Sequence, residues 1–190
     1  RPAPPPPAAG GLCAVLGGDF CSVWRGEGKL TGRLKEELAR EADYELRLDA
    51  TRRWAREWHF RIGVHLLRGL TDAATASVQY AELARAVLQA LWPVVVDHFT
   101  LRHGPPPGRG AVLLGMGSLG AGRLTPTSDL DMLVIYDAPG IDSSDGKRPL
   151  ATRTYYARLT QAMITAMTAP MAQGKLYEID MRLRPSGNQG

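Results

Sequence analysis

The chain is poor in cysteine and has no long apolar run. Two of its 190 residues are cysteine, Cys13 and Cys21, and neither lies in a CxxC pair or near a pair of histidines. We therefore expect free, reduced thiols and neither a disulfide framework nor a cysteine-based metal site. No apolar stretch reaches the roughly 18 residues that a membrane span requires. We expect a cytoplasmic protein with no membrane partner.

Runs of like charge and an apolar signal core are also missing. The 23 Lys and Arg residues exceed the 19 Asp and Glu residues by four, and the basic residues are spread along the chain. Such a weak excess suits an anionic substrate such as ATP but not a nucleic-acid partner. The chain starts with one Arg and several prolines, which is not the pattern of a secretory signal.

Composition divides the chain into three regions. Residues 1–29 open with RPAPPPPAAG, a low-complexity stretch that cannot bury a core, and we expect a disordered lead. Residues 30–104 show helical periodicity and predict a helical region. The stiff turn that follows His103 introduces residues 105–190, in which apolar runs alternate with glycine-rich turns. We expect this last region to hold the active site and to be truncated at its C-terminus.

The helical region is predicted to contain two long helices. The first covers residues 30–67, and apolar residues recur along it at helical spacing. Gly69 and Asp72 then give a stop and a restart, and the second helix runs from about Asp72 to Arg102. Pro93 is expected to kink or split it. The positions predicted to be buried are Leu34, Leu38, Ala42, Leu46, Trp54, Trp58, Ile62 and Leu66 in the first helix and Ala76, Tyr80, Leu83, Val87 and Leu91 in the second.

The last region predicts a small mixed sheet. Residues 111–115 and 130–136 indicate two buried strands, and residues 176–183 alternate in the manner of a third strand. A helix over residues 154–168 is expected to turn Tyr156, Leu159, Met163 and Met167 inward. The predicted fold class is therefore α+β, a mixed sheet with packed helices preceded by a helical region.

The stretch from Gly115 to Tyr136 carries the strongest chemical signal. Gly117 and Ser118 form a glycine-rich turn whose backbone amides can approach phosphate oxygens closely. Ten residues later, Asp129 and Asp131 precede an apolar run, and the two-residue period of a strand places both carboxylates on one face. Paired carboxylates favour Mg²⁺, as nucleotidyl transfer requires. Read singly, the glycines could be an ordinary turn and the aspartates a solvated loop.

A third acidic residue and two arginines complete the predicted site. Asp180 lies on the polar face of the last predicted strand, and it can join the metal site if that strand lies beside the Asp129 strand. Arg182 and Arg184 are forked donors that suit phosphate. The alternative is that Asp180 forms a salt bridge with one of these arginines.

These motifs together resemble a known family. Gly117-Ser118-Leu119-Gly120, Ser128-Asp129-Leu130-Asp131 and the segment from Tyr177 to Gly187, which contains RLRPSG, are similar to bacterial glutamine synthetase adenylyltransferases, members of the polymerase-β-like nucleotidyltransferases. The resemblance covers roughly residues 30–190, including Arg52-Arg53-Trp54 and Phe60-Arg61-Ile62-Gly63. It implies that Asp129, Asp131 and Asp180 bind metal, and that Gly117, Ser118, Ser128, Arg182 and Arg184 contact the nucleotide.

The resemblance also implies an activity. The expected reaction is Mg²⁺-dependent transfer of AMP from ATP to a tyrosine of glutamine synthetase, which regulates nitrogen assimilation, and family members also remove AMP by phosphorolysis. The RLRPSG ending resembles the C-terminal, adenylylating copy of the two catalytic domains, so we expect a fragment of a longer chain that also responds to the signalling protein PII. Ser118 stands where the family usually has Lys, and Arg123 is the nearest residue that could replace the lost charge.

Two alternative hypotheses about the function remain. The same fold supports transfer to a different acceptor, because the motifs alone do not specify one. A non-catalytic module that binds ATP or a partner without turnover is the third reading. Nucleotide binding followed by an assay for turnover separates these readings.

Overall fold

The computed structural model describes residues 24–172 and 174–180. Within them the elements follow the order α1 (Glu27–Arg40), α2 (Tyr44–Leu67), α3 (Ala73–His103), β1 (Gly110–Gly115), α4 (Gly117–Gly120), β2 (Leu130–Asp137), α5 (Thr152–Thr168) and β3 (Ile179–Asp180). This arrangement confirms the α+β class. Cys13, Cys21, Arg182 and Arg184, together with residues 1–23 of the expected lead, lie outside the described residues.

The helical region begins earlier than predicted. Helix α1 starts at Glu27, and the Trp24 ring packs edge-on against Trp58 with ring centroids 5.7 Å apart. The Trp24 indole also donates a hydrogen bond to Glu82 on α3. Residues 24–29 therefore belong to the helical region and not to a disordered lead.

The predicted first helix is in fact two helices. Asp43 caps α2, and its carboxylate accepts hydrogen bonds from the N–H groups of Glu45 at 2.7 Å and Leu46 at 3.4 Å. The break resets the helical phase, so Ala42 is exposed and Leu46 is 53% exposed. The prediction that these two residues join the buried face is wrong, whereas Leu34, Leu38, Trp54, Trp58 and Ile62 are buried as predicted.

Helix α3 fits its prediction closely. The carboxylate of Asp72 accepts a hydrogen bond from the N–H of Thr75 at 2.7 Å, which confirms the cap. The helix continues unbroken through Pro93 to His103, so it is not split. All five predicted core positions are buried: Ala76, Tyr80, Leu83, Val87 and Leu91.

The sheet has the order β1-β2-β3 in the described part of the chain. Strands β1 and β2 are antiparallel, with Gly115 opposite Met132, and β2 and β3 are parallel. Leu130 and Met132 are buried and face the helices. The prediction of a buried first strand is wrong, because β1 is an edge strand whose Val112 is 57% exposed. Strand β3 begins later than predicted, since residues 176–178 are irregular, and the predicted residues 181–183 lie outside the described part of the chain.

A buried arginine joins the helical region to the end of the sheet. Arg52 on α2 is fully buried and donates hydrogen bonds to the carbonyls of Gly174 at 2.8 Å, Ala166 at 2.7 Å, Ala169 at 3.0 Å and Leu48 at 3.0 Å. Burial lowers its pKa, and the nearby charge of Asp49 partly opposes this. Arg52 therefore fixes the end of α5 and the segment that leads into β3.

Helix α5 packs as the periodicity predicted. Tyr156, Leu159, Met163 and Met167 are all buried. The hydroxyl of the neighbouring Tyr155 donates to the carbonyl of Gly104 at 2.9 Å, which fastens α5 to the turn after α3. None of the helices in the described part of the chain is both long enough and apolar enough to cross a membrane.

Candidate active site

The glycine-rich turn lies directly against one of the predicted aspartates. Gly117 has φ +50°, and a Cβ placed on it would lie 2.3 Å from Oδ2 of Asp131. The N–H of Met116 also donates to the carbonyl of Asp131 at 2.8 Å. Only glycine meets both conditions, because it accepts a left-handed backbone and has no side chain to displace the carboxylate. The predicted phosphate turn and the predicted metal ligand are thus neighbours.

Close packing holds the turn in place. Leu119 is 2% exposed and anchors helix α4 in the core. A Cβ on Gly115 would lie 2.9 Å from Cγ of Leu119, and a Cβ on Gly120 would lie 2.7 Å from the carbonyl oxygen of Gly115. Gly117 and Ser118 are exposed above this base. The first N–H groups of a helix have no intrahelical partners, so the turn presents donors suited to an anion.

Asp131 and Asp180 are brought together on adjacent strands. They are register partners across the parallel pair β2–β3, and neighbouring strands lie about 5 Å apart with paired residues on the same face. Both residues border a cavity of about 310 Å³, together with Met116. The condition under which Asp180 can join the site, that its strand lies beside β2, is met. Two carboxylates in this arrangement have the donor chemistry that Mg²⁺ prefers.

Asp129 borders a different cavity. It is exposed, lies one residue before β2, and lines a cavity of about 520 Å³ on the side of α2. In residues 24–172 and 174–180, no three His, Cys, Asp or Glu side chains are arranged to hold a metal ion. The structure therefore pairs Asp131 with Asp180 and places Asp129 at the edge of the neighbouring cavity.

Ser128 organises the loop that carries Asp129. Its hydroxyl accepts a hydrogen bond from the N–H of Thr125 at 2.9 Å and lies 2.8 Å from the Thr125 hydroxyl. Two further contacts hold the loop on the helices: the N–H of Leu124 donates to the carbonyl of Ser77 at 3.0 Å, and Nε2 of His59 lies 3.1 Å from the carbonyl of Pro126. Ser128 therefore holds the loop through these hydrogen bonds. Its predicted contact with the nucleotide stays a prediction.

The larger cavity draws on three parts of the chain. We call it the α2 cavity, and its walls come from α2, from the loop before β2 and from the segment before β3. The apolar periodicity of the sequence predicts the buried side of α2. It does not predict that residues on the outer side of α2 line a cavity. The lining residues are Ala55, Arg56, His59, Phe60, Pro126, Thr127, Ser128, Asp129, Lys175, Leu176, Tyr177 and Glu178.

Burial changes the protonation behaviour of two of these side chains. It lowers the pKa of His59, and the hydrogen bond to the carbonyl of Pro126 opposes this in part. It raises the pKa of Tyr177 well above its ordinary value, and Tyr80 adds to the effect. Both groups are therefore neutral at physiological pH. Lys175 and Glu178 form an ion pair across the mouth of the same cavity.

Comparisons with known proteins show the family to which the chain is similar. A sequence model of the family described as Glutamate-ammonia ligase adenylyltransferase matches residues 19–190. Three relatives, each named bifunctional glutamine synthetase adenylyltransferase/adenylyl-removing enzyme, come from Mesorhizobium japonicum, Brucella suis and Xanthobacter autotrophicus. They are 45%, 43% and 41% identical over 162, 162 and 179 residues, which cover 85%, 85% and 93% of this chain.

The matched region is a small part of each relative. It covers 16% of the Mesorhizobium and Brucella proteins and 18% of the Xanthobacter protein. The family match itself extends over most of the present sequence, from the residues before α1 to the end. The chain therefore belongs to the glutamate–ammonia ligase adenylyltransferase family.

Proposed function

We propose that this region catalyses Mg²⁺-dependent transfer of AMP from ATP to a tyrosine hydroxyl of glutamine synthetase. The acceptor oxygen forms a bond to the α-phosphorus while the bond to pyrophosphate breaks, and the hydroxyl proton leaves to a carboxylate or to solvent. The contact between Gly117 and Asp131 is the observation that carries the proposal, because it joins a phosphate turn to a carboxylate pair. Family membership supports ATP and glutamine synthetase as the substrates.

The turn and the arginines are assigned to the nucleotide. Gly117 and Ser118 lie at the exposed start of α4, where backbone N–H groups and the serine hydroxyl can bind the β- and γ-phosphates. Arg182 and Arg184 are proposed to bind the same anion, in line with the family motif they form. Ser128 contributes indirectly, by holding the loop that positions Asp129.

The carboxylates are assigned to Mg²⁺. Asp131 and Asp180 form the inner pair, and Asp129 is the third residue of the set, at the start of the same strand. Magnesium ions held by these carboxylates would supply neutralisation of the charge that develops on the phosphate oxygens. The Asp131 carboxylate lies against Gly117, in the turn assigned to the leaving group, and Asp180 is its register partner on β3.

We assign the region to the adenylylating activity, and not to the adenylyl-removing activity that the names of the relatives also include. The RLRPSG sequence supports this choice. Within the full native protein we propose a cytoplasmic enzyme that regulates nitrogen assimilation and responds to PII.

A matched pair of variants tests the proposal. In the full native protein, Asp131→Asn should abolish incorporation of AMP into glutamine synthetase, because it removes a charged ligand of the inner pair. Asp137→Asn is the control: this aspartate ends the same strand, is exposed, and its carboxylate forms a surface ion pair with Arg109. Equal activity of the two variants would refute the assignment. Retained Mg²⁺–ATP binding by the wild-type protein without transfer to any acceptor would favour a non-catalytic module.

A further inference from the structure

The α2 cavity is not explained by the binding of nucleotide phosphates. Its volume is about 520 Å³, and none of its lining residues comes from β1 or from the glycine turn. It touches the proposed site at Asp129 and at Ser128, which holds the loop of Asp129. Its opposite wall is the outer side of α2, which carries the exposed side chains of Arg56 and Phe60.

The sheet order indicates what the α2 cavity receives. Strand β2 lies between β1 and β3, so the turn after β1 and the segment before β3 lie on opposite sides of β2. Asp129 and Asp131, at the start of β2, lie between them. In an in-line displacement the attacking and leaving groups occupy opposite sides of the phosphorus. If the turn holds the leaving pyrophosphate, the acceptor arrives from the β3 side, which is the side of the α2 cavity.

One cation of the cavity lining is left without an opposing charge, because Asp129, the second carboxylate of the lining besides Glu178, is assigned to Mg²⁺. Lys175 is paired with Glu178, and His59 is neutral because burial lowers its pKa. No hydrogen bond or ion pair joins the Arg56 guanidinium to another residue in the part of the chain that the structure describes. The guanidinium lies about 3.5 Å from the point where a Cβ on Gly174 would stand, at the entrance to the cavity. Such a cation is suited to a carboxylate.

The cavity also offers an apolar surface. Phe60 is 60% exposed, and Leu176 and Tyr177 are partly buried beside it. An exposed aromatic ring next to a cation is typical of residues that dominate protein recognition sites.

We propose that the α2 cavity binds the acceptor segment of the protein substrate, a segment in which the tyrosine has an acidic residue close to it in sequence. Arg56 binds the acidic side chain, Phe60 packs against the segment, and the tyrosine hydroxyl reaches the site past Asp129. Arg56 is thus a specificity residue rather than a catalytic one. This proposal rests on the proposed function and adds to it the place and the chemistry of acceptor recognition.

Steady-state kinetics of variants in the full native protein test the proposal. Arg56→Gln should raise KM for glutamine synthetase about tenfold or more and leave KM for ATP unchanged, because a charge-assisted hydrogen bond to the acceptor is lost. Arg53→Gln is the matched control, since Arg53 is an exposed residue of the same helix, directed to Glu37 on α1, and should stay close to wild type. Phe60→Ser should repeat the effect of Arg56→Gln. The Arg56 side chain is exposed and makes no hydrogen bond or ion pair with the described residues, so Arg56→Gln should not change the melting temperature.

Synthetic peptides give a second, independent readout. A tyrosine peptide with neighbouring aspartates should inhibit the labelling of glutamine synthetase more strongly than the same peptide with lysines, and Arg56→Gln should remove this preference. A raised KM for ATP in Arg56→Gln would overturn the proposal and assign the cavity to the nucleotide. An unchanged KM for glutamine synthetase would also overturn it. Failure of the wild-type protein to transfer AMP would instead refute the proposed function itself.

Discussion

A side chain at position 117 would collide with the carboxylate of Asp131. The conformation of the turn and the position of this carboxylate therefore both depend on a glycine at position 117. Gly117 has φ +50°, and its Cβ would lie 2.3 Å from Oδ2 of Asp131. The same residue is thus required for the shape of the turn and for the position of a proposed metal ligand. Ser118 lies exposed beside it.

Gly117→Ala should therefore reduce AMP transfer at least tenfold, since the methyl group displaces the Asp131 carboxylate from the site. Gly140→Ala is a matched control, because Gly140 also has a positive φ of 70° but no atom within 4 Å of its added Cβ. Gly140→Ala should lower the free energy of unfolding by about 1 kcal/mol, because its backbone is strained, and should keep wild-type activity. AMP incorporation and urea unfolding measured for both variants check the prediction. Full activity of Gly117→Ala would contradict it.

At the scale of secondary-structure elements, Arg52 determines where β3 lies. Three of its four hydrogen bonds to carbonyls join α2 to the end of α5 and to Gly174, and the fourth is to Leu48 within α2. Arg52→Met should lower the free energy of unfolding by about 3 kcal/mol, because buried carbonyls lose their donor. Arg53→Met removes only an exposed ion pair with Glu37 and should cost less than about 0.5 kcal/mol. Denaturant unfolding compares the two, and equal effects would rule out this role of Arg52.

The contact between α2 and the loop before β2 should depend on pH. Burial holds the folded-state pKa of His59 below its ordinary value of 6.5, so the unfolded chain binds the proton more readily. The contribution of neutral His59 to the stability of the folded chain is complete above pH 6.5. It is lost as the pH falls from 6.5 through the folded-state pKa of His59. His59→Gln should consequently lose less stability than wild type on acidification below pH 6.5. Unfolding curves at several pH values measure this difference, and identical pH dependence in both proteins would contradict the assignment.

Most elements could be predicted from local patterns, whereas their junctions could not. The core positions of α3 and α5 followed from apolar spacing, and Asp72 was recognised as a cap. The break at Asp43 was missed because the apolar spacing continues through it by coincidence. The site divides in the same way: Gly117, Asp131 and Asp180 belong to motifs visible in the sequence, and the structure brings these three residues together. Arg56 and His59 had no local signal, because the α2 cavity exists only once distant segments meet.

At the scale of the whole molecule, the helical region and the sheet share one hydrophobic core. Buried residues from α1, α2 and α3 form a single cluster with Leu119, Leu130 and Met132. Helix α2 is also a wall of the cavity next to Asp129, so the helical region contributes to the site as well as to stability. The sequence suggested a helical region followed by a catalytic region, and the structure adds that the two regions pack together.

The central claim, transfer of AMP, is tested most directly by the position of the label in ATP. The full native protein would be incubated with glutamine synthetase, Mg²⁺ and ATP labelled at either the α- or the γ-phosphate. If AMP is transferred, the α-label enters glutamine synthetase and the γ-label appears in pyrophosphate. We also expect that a metal chelator or Asp131→Asn abolishes incorporation of the label. Entry of γ-label into the acceptor, or of neither label, would contradict the account.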